Sequence, residues 1–276
     1  MKKKGIKPHF AAAPVLILIG AVVLFSQFLP EEIKARPEWE DFLQSAEITG
    51  SEPIGEGVTK PYKLYLKRGD QSACGVWKNP EGIQQGYLEG WRYEIAAYRM
   101  DKLLGIGMIP PTVEREFNGK RGSLQLWVDA EFSLLDVMEE EIEIPREHLV
   151  HNNRMKYITR AFDSLIANED RTQQNVLITG DWRVILIDHS RSFRSSPEFT
   201  ERLMFGRDGI QGEKMIRSLP RVLVERIRNL DEQSIKEAVG SYLDDTEIRA
   251  VLKRKILLLD EIEAMACLYG EEKFYY

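Results

Sequence analysis

Cysteine is scarce. Cys74 and Cys267 are the only two in 276 residues, so at most one bridge is possible and no disulfide framework is implied. No Asn-x-Ser/Thr sequon occurs, and nothing marks a glycosylation site. No G-x-x-x-x-G-K-[ST] is present, which argues against a P-loop enzyme, and no G-x-S-x-G, which removes the nucleophile elbow. The four histidines, His9, His148, His151 and His189, are scattered. His148 and His151 form an i, i+3 pair with no cysteine or acid at ligand spacing, and they read as a helix surface rather than a zinc site. Basic charge is not in excess either: 38 Lys and Arg face 44 Asp and Glu, for a net −6. Four of those lysines (Lys2, Lys3, Lys4 and Lys7) lie in the N-terminal tail, so the body is more acidic still. Such a body carries no electrostatic footprint for nucleic acid.

What the sequence does have is a hydrophobic content of 43%, enough for a sizeable core in one or two domains. Residues 1–9 form a basic tail. Residues 10–29, FAAAPVLILIGAVVLFSQFL, contain no charged side chain, and a membrane-spanning helix needs roughly 20 such residues. Pro30, Glu31 and Glu32 follow in place of a small-residue cleavage site, which favours a retained transmembrane anchor over a signal peptide. Lysines precede the run, while only Lys34 and Arg36 follow closely. That bias puts the N-terminus in the cytoplasm. It also puts the body outside, where ATP is scarce, so the side is left open.

Residues 30–45 read as a charged juxtamembrane linker passing into a short helix. Residues 46–130 are strand-rich, with strands in AEIT, PYKLYLK and QSACGVW, an amphipathic helix over 87–104, and a hairpin turning at Asn118-Gly119. The helix places Tyr93, Ala96, Ala97, Met100 and Leu104 on one face and stops at Gly105. Residues 131–276 are mostly helical, with helices expected over 133–143, 154–167, 197–203, 212–229 and 231–268. The expected architecture is α+β, with a strand-rich lobe followed by a helical one.

The chemistry-bearing stretch is AFDSLIANEDRTQQNVLITGDWRVILIDHS, from Ala161 to Ser190. An apolar helix leads to Asp170, Asn175 follows five residues on, and Asp188 comes after a two-strand pattern. Two carboxylates and an amide on loops beside a hairpin suit phosphoryl transfer. There an Asp orients the attacking hydroxyl, while an Asn and a second Asp hold the divalent metal. Lys78 ends the apolar strand ACGVWK, and Glu94 lies at the edge of the helix's apolar stripe. Either alone reads as a solvated flank. In the order Gly-containing loop, strand, Lys, helix, Glu, they form the pair that aims a cation at nucleotide phosphates. Gly55 and Gly57 in SEPIGEGVTKP are weak signals by themselves. The acidic run Glu139–Glu143 reads as a solvated helix face.

YEIAAYRMDKLLGIGMIPPTV (Tyr93–Val113) resembles the helix-and-strand segment of the secretory-pathway (Golgi) Fam20-type kinases. IANEDRTQQNVLI with VILIDHS resembles the catalytic and metal loops of those enzymes and of the phosphatidylinositol 3- and 4-kinase-like group. The resemblance covers about residues 46–195 and implies a bilobal protein-kinase-like fold with ATP between the lobes. It implies Lys78 as the phosphate-binding lysine, Glu94 as its helix partner, Asp170 as the catalytic aspartate and Asp188 as the metal ligand. Asn175 as second ligand to Mg²⁺ or Mn²⁺ fits the general kinase pattern better than the Fam20 one. The Gly55–Lys60 loop would cover the phosphates, and Gln125–Asp129, with Trp127 and Val128, would form the adenine-side hinge. Two departures stand out: the metal loop reads Asp-His-Ser rather than Asp-Phe-Gly, and the disulfide framework of the animal enzymes is missing.

The function expected from the residues and the resemblance together is a membrane-anchored, ATP-dependent phosphotransferase acting on a hydroxyl of a protein, lipid or glycan. A catalytically inactive pseudokinase serving as a nucleotide-binding scaffold, and an AMP-transferring enzyme on the same fold, are the competing readings. Residues 197–276 carry no motif that identifies the acceptor.

Overall fold

The alternation in PYKLYLKRGDQSACGVWK folds as two paired strands at the centre of an antiparallel sheet. The computed structural model describes residues 26–55 and 60–276. Strands β1 (Glu47–Pro53), β2 (Tyr62–Arg68), β3 (Gln71–Lys78), β6 (Thr112–Phe117) and β7 (Lys120–Leu126) form one sheet in the order β1-β2-β3-β7-β6. The β6–β7 turn has Asn118 and Gly119 both at positive φ, 51° and 69°, the type I′ geometry that Asn-Gly adopts without strain. One face of the sheet buries Leu64, Leu66, Trp77, Val113 and Leu124. A helix preceding the sheet, Arg36–Ser45, lays Phe42 and Leu43 into that core.

The segment expected to be a linker is therefore structural. It contains a short helix, α1 (Pro30–Lys34), and then α2 (Arg36–Ser45). Arg36 is buried and donates to Asp101 Oδ2 at 3.0 Å and to Ile109 O at 3.1 Å. Of the apolar run 10–29, only Ser26–Leu29 fall among the described residues, and they are not helical. The Gln27 and Phe28 amides donate to Gly107 O at 2.9 and 3.1 Å, docking the chain on the body. The rest of that run lies outside the described residues. No helix among the described residues is long and apolar enough to cross a membrane.

A second small hairpin, β4 (Glu81–Gln84) with β5 (Tyr87–Gly90), sits between β3 and the helix α3 (Trp91–Leu104). Tyr87–Gly90, expected to open that helix, is a strand. Gln85 and Gly86, at φ 49° and 89°, instead turn the chain so that Tyr87 pairs with Gln84. All five residues assigned to the apolar face of α3 are buried, and Gly105 closes the helix at φ 63°.

The second lobe is built on α5 (Arg146–Ile166), preceded by the short α4 (Leu134–Glu139). A three-stranded sheet β10-β9-β8 joins β8 (Phe132–Ser133), β9 (Val176–Ile178) and β10 (Val184–Leu186). Four helices follow: α6 (Pro197–Glu201), α7 (Arg221–Asn229), α8 (Glu232–Val239) and α9 (Asp245–Tyr269). A short terminal helix, α10 (Glu271–Phe274), ends the chain.

Two expected helices are corrected. The one over 212–229 begins only at Arg221, after Pro220, because Leu219 pairs with Tyr275 in a β-bridge. The one over 231–268 is broken at Gly240 (φ 59°) and restarts where Asp244 caps the amides of Thr246 and Glu247. Fully buried Arg254 on α9 donates to the carbonyls of Leu165, Arg194 and Phe199. That contact ties the end of α5 to the segment that follows the metal-loop candidate. Cys74 and Cys267 are both free.

Candidate active site

Side chains alternate along β3, so Trp77 enters the small core and Lys78 points to the opposite side, toward α3. There the Lys78 Nζ lies 2.8 Å from Glu94 Oε1 and 3.0 Å from Asp188 Oδ1. Burial alone would depress this ammonium, but the two carboxylates outweigh it and hold its pKa above the ordinary lysine value. Glu94 is not the solvated flank its position on the stripe suggested; it is 2% exposed. Its Oε2 accepts the backbone N–H of His189 at 2.9 Å. Burial would raise the Glu94 carboxyl, yet Lys78 and His189 together hold it well below the usual range. One helix carboxylate thus clamps both the strand lysine and the loop carrying Asp188.

Asp188 follows β10 with a left-handed φ of 57°, a conformation Asp tolerates better than most residues. Its Oδ1 faces Lys78 and the Ser190 hydroxyl, the latter at 3.1 Å. Its Oδ2 has no protein partner among the described residues. Asp170 sits on the loop after α5, its amide held by Asn168 Oδ1 at 3.2 Å. Asn175 Nδ2 donates to Asp170 O at 2.9 Å. The amide nitrogen is thereby committed, and the amide oxygen is left available as a ligand. Asp170 lies within the field of Asp188. Its pKa is raised, first by burial, with Arg191 opposing and Asp188, Glu89 and Glu169 adding to the rise.

The structure brings together Lys78, Glu94, Asp170, Asn175 and Asp188, and it treats the remaining sequence candidates differently. Gly55 turns at φ 57° in the open, while Ile54 N donates to Pro61 O and closes the base of its loop. Gly57 lies outside the described residues. Trp127 follows β7, donates its amide to Cys74 O at 3.0 Å, and carries the Lys63 ammonium 4.1 Å over its ring. Val128 follows it on the segment joining the lobes. The pair His148 and His151 does lie on α5, but His148 stacks on Trp182 and His151 Nε2 lies 3.1 Å from Gln27 Oε1.

Several residues escaped the sequence reading. Buried Glu89, at the end of β5, takes Arg191 Nε at 2.8 Å and the Ser190 hydroxyl at 2.8 Å. Arg191 Nη1 also reaches to 3.4 Å from Asp170 Oδ2. Arg171 fans out beneath the loop: to both Asp163 oxygens at 2.9 and 3.1 Å, to Asn175 O and Ile187 O at 2.8 Å, and to His189 Nε2 at 2.8 Å. Because a guanidinium only donates, His189 must accept at Nε2 and carry its proton on Nδ1, facing Glu94. Burial keeps the imidazole neutral, its pKa pushed below the ordinary value. The available signal was the Glu-Asp-Arg sequence itself, but the partners of Arg171 are set by tertiary contact.

Four carboxylates (Glu89, Glu94, Asp170, Asp188) face two cations (Lys78, Arg191), an excess of negative charge that suits a divalent cation. Among the described residues no group of three or more His, Cys, Asp or Glu could hold a metal by itself.

No protein-family model and no curated protein matches this sequence. Solved structures do match in fold. A hydra Fam20 solved with sugar aligns at TM-score 0.64 and 15% identity, covering 92% of this chain and 95% of the other. The Golgi casein kinase with Mn/ADP bound aligns at TM-score 0.62 and 13% identity, covering 91% and 80%. The Helicobacter pylori proinflammatory kinase CtkA aligns at TM-score 0.53 and 11% identity, covering 83% and 97%. The fold is therefore the mixed helix-and-sheet fold of these atypical kinases, as the resemblance in the sequence implied.

Proposed function

We propose that this protein is an ATP-dependent phosphotransferase moving the γ-phosphate to a hydroxyl acceptor. The observation that carries the reading is the Lys78 ammonium held between Glu94 and Asp188, with Asp170 in the same field. Phosphoryl transfer asks the protein for positioning and charge rather than for covalent chemistry. Lys78 supplies a fixed cation for the nucleotide phosphates, and Glu94 keeps it from wandering. Asp170 accepts the acceptor's proton; its raised pKa makes it a better base than an exposed carboxylate. Asp188 and the Asn175 amide oxygen hold Mg²⁺ or Mn²⁺, as the Mn/ADP complex of a neighbour with this fold suggests. When bound there, such an ion would neutralise charge on the transferring group. Trp127 and Val128 border the adenine; of the Gly55–Lys60 loop expected to cover the phosphates, residues 56–59 lie outside the described residues.

The acceptor is a hydroxyl of a protein, lipid or glycan; one neighbour was solved with a sugar and another is named a casein kinase. The uncharged run 10–29 anchors the chain to a membrane, and near its end the Gln27 and Phe28 amides dock it on the body. Incubating the full chain with Mn²⁺ and ATP labelled at either the α- or the γ-phosphate tests the reading. Transfer of γ label alone is expected. Transfer of α label would make the enzyme an AMP transferase, and nucleotide binding with no transfer would make it a scaffold.

A further inference from the structure

The helical lobe contains a cavity of about 530 Å³, within the range of small-molecule sites. None of Lys78, Glu94, Asp170, Asn175 and Asp188 lines it, whereas Arg171, which lies beneath that site, does. Its walls are apolar, with Val137, Leu149, Val176, Ile178 and Trp182 among them. Met138 and Leu149 also line it while remaining 59% and 47% exposed, so apolar surface continues to the outside.

No Asp or Glu lines this cavity, whereas Lys156, Arg160 and Lys214 do, together with Arg171, which is already paired with Asp163. Arg217 stands near enough to disfavour the charge on both Lys156 and Arg160. Lys156 donates to Asn153 Oδ1 and Arg160 to Met215 O, both neutral acceptors. None of Lys156, Arg160, Lys214 and Arg217 forms an ion pair among the described residues. In a chain of net charge −6, this is a local cationic cluster without counter-charge. A neutral apolar ligand would fill the cavity and leave the cluster unneutralised. A small polar anion would neutralise the cluster and leave the apolar walls wet. A molecule with both parts satisfies both.

We propose that this cavity binds a single-chain anionic lipid, with its tail against Val137, Ile178 and Trp182 and its head group at Lys156, Arg160 and Lys214. The position of the chain supports a membrane source. Gln27, near the end of the uncharged run 10–29, meets His151 on α5 and accepts from the amide of Val184, itself a lining residue. The site does not depend on phosphotransfer activity.

The test uses the full chain in phosphatidylcholine vesicles and palmitoyl lysophosphatidic acid carrying a photoreactive diazirine on its tail. Cross-linked peptides are mapped by mass spectrometry. Label is expected on the segments carrying Val137, Leu149 or Ile178. Unlabelled lysophosphatidic acid should compete, lysophosphatidylcholine with the same tail should not, and palmitate tells whether a carboxylate head suffices. The exposed double substitution Lys156→Glu with Lys214→Glu should reduce labelling about tenfold without changing thermal unfolding. Leu149→Trp should reduce it from the tail side. Equal competition by the choline lipid, unchanged labelling in the charge-reversed variant, or label confined to residues 1–29 would each overturn the proposal.

Discussion

Two ionic clusters meet at Asp188-His189 and differ in how completely their charges are matched. In the first, Lys78 is shared by Glu94 and Asp188, with Asp170 near by and Arg191 reaching in from the side. In the second, the Arg171 guanidinium meets Asp163, two backbone carbonyls and the His189 ring. Arg171 and Asp163 are both nearly buried, at 6% and 0% side-chain exposure, whereas Asp170 and Asp188 keep 34% and 30%. The second cluster has one cation, one anion and neutral acceptors, and it is closed. The first has surplus carboxylate and a free Asp188 oxygen, and it is open to a ligand. Closed stoichiometry fits a scaffold, while unmatched charge facing solvent fits a binding centre.

Substitutions should separate the two clusters. Asp170→Ala, which removes the proposed base, should lower turnover by about 10²- to 10⁴-fold while ATP binding, followed by thermal shift, persists. Asp188→Asn should instead abolish the metal-dependent part of that thermal shift. Arg171→Met leaves Asp163 buried and unpaired, which should cost about 3–5 kcal/mol of stability, measured by denaturant unfolding. Lys78→Met should cost less stability, because Glu94 keeps its His189 contact and Asp188 is 30% exposed, yet it should remove most of the activity. Equal destabilisation by the two substitutions would erase the distinction between the clusters.

The pH dependence carries smaller effects of opposite sign. Glu94 has a folded-state pKa below its unfolded value, so the stability it contributes is present above about pH 4.3 and is lost as pH falls. Glu94→Gln should flatten that limb of the stability curve. Asp170 has a raised pKa, so the acid limb of kcat/KM should lie above the ordinary aspartate value. Arg191 lowers that pKa, and Arg191→Gln should move the limb further up. A pH–rate profile measured on both proteins reads the direction.

The first cluster was largely legible in the sequence and the second was not, for a physical reason. Lys78, Asp170, Asn175 and Asp188 sit at strand ends and loop positions where spacing restricts what a side chain can meet. The face of α3 was legible from its 3.6-residue period, and the Asn118-Gly119 hairpin from its turn residues. Glu94 looked like a flank because periodicity reports how apolar a face is; the Lys78 and His189 contacts that bury it come from other elements. Glu89 and Arg191 were missed because the β4–β5 hairpin that delivers Glu89 was read as the first turn of a helix. Gly240 marked the break between α8 and α9, but the helical period on both sides masked it. The start of α7 depended on Leu219 pairing with Tyr275, a contact no local pattern announces.

The central claim is that Asp170 acts in phosphoryl transfer beside a lysine clamped by Glu94 and Asp188. Its most direct test is transfer of γ-labelled phosphate by the full chain and by Asp170→Ala, at equal nucleotide occupancy and with Mn²⁺ present. Label transfer by the native chain and its loss, by at least about a hundredfold, in the variant is the predicted result. Equal turnover by the two proteins would contradict it.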